Sequence, residues 1–139
     1  VATGWAATSC TLPLPPEGEP TTGPGSPPVP REIVSYPLDI EPIFSKNCAV
    51  CHRPNGLAQQ FGIPLNLKFG GARMGLINQP SVVEPGLIHV IPGDADNSFL
   101  YQKVAQELPP AGLRMPLLAE PLSDVEIDLI RRWIDQGAP

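Results

Sequence analysis

Cys48-Ala49-Val50-Cys51-His52 sets two thiols three positions apart and follows the second at once with an imidazole. That order of residue types is the attachment pattern for a c-type haem. Its spacing has a mechanical reason: at a helix end, thiols three positions apart can each add to one vinyl group of the macrocycle. The next residue's imidazole then lies beneath the iron. Thiol–disulfide chemistry and zinc sites also use Cys-x-x-Cys. A zinc site needs four ligands, however, and outside this motif the chain offers only Cys10 and His89, far apart in sequence and not in a second pair. A thiol oxidoreductase would want a strand leading into a helix, and no such setting precedes Cys48.

One covalent haem c therefore stands as the expected cofactor, with His52 as the first iron ligand. The second must come from downstream, where Met74, His89 and Met115 are the candidates. Met115 is favoured because Gly112-Leu113-Arg114-Met115-Pro116 is a proline-bounded loop able to hold a sulfur rigidly. Met74 reads as core filler, the common role of a lone methionine. His89, within Leu87-Ile88-His89-Val90-Ile91, reads as a packed or surface histidine. Ligation by two imidazoles would lower the reduction potential, since a neutral thioether favours ferrous iron more than imidazole does. Arg73 and Arg114 are the candidate partners for haem propionates, because guanidinium meets carboxylate in a planar fork. A solvated surface position is the alternative for Arg73, and Arg114 has the better claim because it adjoins Met115.

The elements that must position these groups are helical. A short helix that delivers Cys48 is expected to be capped by Asp39 and to carry Pro42 in its first turn, with Ile40, Ile43, Phe44 and Asn47 on one face. Residues 53–95 are rich in Gly, Pro and Asn without a sustained period, so they read as loops with short helical turns that need an internal scaffold such as haem. Asp96–Gln106 carries an inward stripe of Phe99, Leu100, Tyr101 and Val104. The last helix is opened by a Ser123/Glu126 capping box and closed by Gly137, and its apolar face is Val125, Leu129, Ile130, Trp133 and Ile134.

Nine of the 20 prolines fall in the first 37 residues. Residues 1–37 accordingly read as an extended polyproline arm, with a disordered linker as the alternative, and residues 38–139 as the folded domain. Such an arm reaches on the order of 110 Å, enough to cross a neighbouring subunit. Assembly into a homo-oligomer, larger complex or filament through residues 1–37 is therefore expected, with Cys10 as a candidate for an interchain disulfide or a reactive thiol. A net charge of −5 without a basic run removes the electrostatic basis of nucleic-acid binding and suits a redox partner protein with a positive patch. No run approaches the roughly 20 apolar residues of a membrane span. Val1 in place of Met suggests a leader already removed.

The chain resembles the monohaem class I cytochromes c, especially exported bacterial domains. The residues that carry the resemblance are Ile40-Glu41-Pro42-Ile43-Phe44 with the attachment motif, Pro92-Gly93-Asp94-Ala95-Asp96-Asn97-Ser98, Arg114-Met115-Pro116, and Leu122-Ser123-Asp124 through Trp133-Ile134 to Gly137-Ala138. The resemblance implies an all-α fold of about three helices around the haem. It implies that the Pro64 carbonyl accepts the second ring proton of His52, a contact that would fix and strengthen the ligand. It also implies a Phe44–Trp133 contact between the first and last helices. The expected function is electron transfer outside the cytoplasm, in the periplasm or at the cell exterior, without catalysis. The alternative is a haem enzyme or sensor with an open iron position.

Overall fold

The computed structural model describes residues 33–139. These lie in the second of the two units into which the chain divides, Arg31–Pro139. Cys10 and the first 32 residues of the expected arm lie outside the described residues.

The core begins earlier than the proline pattern implies. Val34 and Tyr36 alternate inward and are buried at 0% and 8% exposure, and the Val34 N–H donates to the Gln136 side chain at 2.8 Å. The fold therefore includes residues that sequence composition assigned to the arm. Two apolar side chains on alternate positions of an extended stretch bury as a strand's would. The chain then makes a π-helical turn, Tyr36–Ile40, which runs directly into α1, Glu41–Asn47. Asp39 does not cap α1. Its carboxylate accepts from the Ser35 N–H at 2.7 Å, because the helical winding starts before it and leaves it inside the turn. Pro42 sits in the first turn of α1 as expected.

The middle contains two short helices, α2 (Leu57–Gln60) and α3 (Ala72–Leu76), and isolated bridges pairing Ile77 with Val90, Pro80 with Ile88 and Ile91 with Asp94. Much of the scaffold for these loops is protein. Leu67, Ala72, Leu76, Val90 and Ala95 enter the main core. Fully buried Ser98 accepts from the Ile91 N–H at 2.8 Å and donates to the Asp94 carbonyl at 2.7 Å. Asp135 accepts from the Ala95 N–H at 3.1 Å, which ties this segment to the last helix.

The last two helices are α4 (Phe99–Ala105) and α5 (Asp124–Asp135), and they pack on each other. α4 buries Phe99, Leu100 and Val104. Tyr101 is half-buried, with its hydroxyl accepting from Arg131 at 3.2 Å. α5 buries Ile130, Trp133 and Ile134, while Val125 is 70% exposed, contrary to the apolar face read from the sequence. Val125 lies in the first turn of α5, ahead of the buried residues. The helix ends in a Schellman motif: the Gly137 N–H bonds the Ile134 carbonyl, the Ala138 N–H bonds that of Trp133, and Gly137 takes φ +91°. Phe44 and Trp133, expected to meet, enter the same core, and Tyr36 contacts both. Its ring lies 5.4 Å from Trp133 and meets Phe44 edge-on at 6.3 Å.

Among the described residues the protein is all-α, with isolated bridges in place of strands, and no helix is long and apolar enough to cross a membrane.

The capping box at α5 forms in full. The Glu126 N–H donates to Ser123 Oγ at 3.3 Å, and the Ser123 N–H donates to the Glu126 carboxylate at 2.9 Å. Asn47 donates to the same carboxylate at 3.3 Å and Lys46 pairs with it at 3.9 Å, so the cap also joins the end of α1 to the start of α5. The backbone bond from Ser123, helped by Asn47 and Lys46, holds the Glu126 carboxyl below its usual range. A depressed carboxyl contributes stability above its ordinary pKa of about 4.3, and that contribution is lost as pH falls through the folded value. Ser123→Ala is expected to lower stability by about 0.5–2 kcal/mol at neutral pH. Because alanine keeps the backbone bond and removes only the hydroxyl's smaller share, it should flatten the loss of stability below about pH 4.3 only in part. Denaturant midpoints measured across that range check both effects.

Candidate functional site

The motif occupies a single turn at the end of α1. The Phe44 carbonyl accepts from the N–H groups of both Cys48 (2.9 Å) and Ala49 (2.8 Å). The Cys48 carbonyl in turn accepts from Cys51 (3.2 Å) and His52 (2.9 Å). Two thiols and one imidazole thus leave one short stretch of wound backbone. Both cysteines are unpaired and half-buried. Burial, with Glu126 and Cys51 adding negative charge nearby, pushes the Cys48 thiol up to about 12. A thiol held so far above neutral pH lacks the thiolate that disulfide exchange requires.

His52 is held by its backbone, with its carbonyl accepting from the Leu67 N–H at 2.8 Å. Its ring nitrogen Nδ1 is buried and has no hydrogen-bond partner. The expected bond to the Pro64 carbonyl is therefore not made. Pro64 instead lines a cleft of about 310 Å³ together with Leu65, Met74 and His89. Burial first, and the Lys103 ammonium second, hold the His52 ring below its ordinary pKa, so it stays neutral, the form that ligates iron.

The downstream candidates fall in different places. Met74 is 89% exposed, contrary to its reading as core filler. The short α3 buries Ala72 and Leu76, four positions apart, and turns Met74 away from them. His89 is 9% exposed and stacks on Phe99 with ring centroids 6.2 Å apart. Burial and then the nearby His52 both lower its pKa, so the two imidazoles sense each other. Met115 is half-buried and packs against the main core.

Arg114 lies along α4, with Nε donating to the Val104 carbonyl at 3.1 Å. Arg73 reaches the Ala138 carbonyl at 3.0 Å and fastens α3 to the residues after α5. Lys103 was not singled out from the sequence, yet its backbone carbonyl accepts from the Met115 N–H at 2.7 Å and its ammonium holds the loop before Met115. Nothing in the local sequence marks it, because its partners are backbone carbonyls of a loop eight and more residues away. Among the described residues no group of three or more His, Cys, Asp or Glu gathers into a metal cluster.

Comparison with models of known families, with curated proteins and with solved structures finds no match to this chain.

Proposed function

We propose that this protein is a monohaem c-type cytochrome of the class I fold that transfers single electrons outside the cytoplasm. The observation that carries this reading is the turn Cys48–His52, where two half-buried thiols and a neutral imidazole leave one short stretch of wound backbone.

Cys48 and Cys51 would hold the haem covalently and His52 would ligate its iron. Met115 would be the second ligand, presented by a loop bonded to α4. The bound group supplies a reversible one-electron carrier. The surrounding residues keep His52 neutral and place a positive ammonium near it. With His52 and Met115 both engaged, no iron position stays open for substrate, which separates a carrier from an enzyme or sensor. Partner proteins with positive patches, and assembly through the first 37 residues with Cys10, belong to the same proposal.

His89 supports a second reading. It is buried, stacked and close enough to His52 for their charges to interact, which would suit ligation by two imidazoles and a lower potential.

Visible spectra of the oxidised protein distinguish the two. With His52 and Met115 as ligands, a weak sulfur-to-iron band is expected in the far red, absent from Met115→Ala and retained in His89→Ala. A low-spin spectrum without that band, altered by His89→Ala, would establish the second reading, and a high-spin spectrum would refute both.

A further inference from the structure

Lys103 departs from the usual behaviour of a surface lysine, which buries its stem and leaves its ammonium in water. Here the side chain folds back onto the loop ahead of Met115. Its Nζ donates to the Ala111 carbonyl at 3.1 Å and to the Leu113 carbonyl, and lies 5.6 Å above the centre of the Phe99 ring. The same residue's carbonyl accepts from the Met115 N–H at 2.7 Å, and the carbonyl of the next residue, Val104, accepts from Arg114 at 3.1 Å. Residues 103 and 104 of α4 thus grip positions 111, 113, 114 and 115 in succession. Gly112 forms the crest of the gripped loop at φ +66°, a conformation other residues resist, and a Cβ there would stand 3.1 Å from Nζ.

We propose that Lys103 is the positioning residue that fixes the Met115 thioether where it can serve as an axial ligand. The proposal rests on reading Met115 as that ligand. A thioether is a neutral, weak donor, so whether it stays bound depends on how firmly the backbone presents it. Two bonds from an ammonium to loop carbonyls are charge-assisted and stronger than neutral ones. The cation beside the ring face of Phe99 adds to the same hold.

The test uses the haem-loaded full chain as wild type, Lys103→Leu and Lys103→Arg. Lys103→Leu keeps an apolar stem, removes the donor and adds no sulfur. It is expected to retain covalent haem, to lose half or more of the far-red sulfur-to-iron band, and to exchange the amide protons of residues 111–115 about tenfold faster, a change of about 1.4 kcal/mol in local opening. Lys103→Arg, which can still donate to carbonyls, should restore most of the band. An intact band in Lys103→Leu overturns the proposal and leaves the Met115 reading standing. A wild-type protein without the band overturns both, and Met115→Ala separates the cases by showing whether the band was ever that sulfur's.

Discussion

Protein with alanine at both Cys48 and Cys51, produced alongside a haem-attachment system, is expected to be isolated with the mass of the bare polypeptide, whereas the wild type should carry the added mass of one haem. The reason lies in the backbone. Phe44 and Cys48 carbonyls wind residues 48–52 into one turn, so both thiols and the His52 ring emerge from adjacent parts of a rigid surface. Removing one thiol should leave a single thioether and a reduced yield, and removing both should leave no covalent attachment. The competing chemistry for a Cys-x-x-Cys pair is disulfide exchange, which needs a thiolate. With Cys48 pushed up to about 12 by burial, that residue's own thiolate is scarce at neutral pH. Intact mass measurement under denaturing conditions decides the matter. A wild-type chain of bare mass whose cysteines exchange readily with glutathione would remove the haem reading altogether.

Trp133→Ala should be the most damaging change in the core, lowering stability by about 3–5 kcal/mol. Trp133 is fully buried, its ring lies 5.4 Å from that of Tyr36, and its indole N–H donates to the Pro139 carbonyl at 3.2 Å. Alanine would leave a cavity where α5 meets the π-helical turn, and would orphan a carbonyl in the segment that Arg73 also fastens. A domain of this size has a total stability of about 5–15 kcal/mol, so the variant approaches the limit of folding. Trp133→Phe keeps an aromatic partner for Tyr36 and forfeits mainly the indole bond, for a smaller loss of about 1–2 kcal/mol. Urea unfolding followed by far-ultraviolet circular dichroism compares the two. A loss below about 1 kcal/mol in Trp133→Ala would mean that the α5 contact is not a main support of the fold.

What could be read directly from the sequence was local. The Ser123/Glu126 box, the Gly137 stop, the inward face of α4 and, Val125 apart, that of α5 follow from spacing within one helix, where residues three and four apart must share a surface. The order of residues in Cys48–His52 was equally legible, because all the chemistry sits within one turn. Tertiary structure decided what depends on distant partners. Val34 and Tyr36 enter the core because Trp133 and Gln136 receive them, a meeting no proline count reveals. Met74 is exposed because Ala72 and Leu76 take the buried face of a helix too short to bury both sides. The Nδ1 of His52 stands without the expected Pro64 carbonyl, and Lys103 grips the Met115 loop, through loop paths that local propensity does not encode. Hydrophobic period and capping chemistry act over a few residues and are written in order along the chain. Loop closure, burial and long-range hydrogen bonds depend on which surfaces meet, and only the folded chain fixes that.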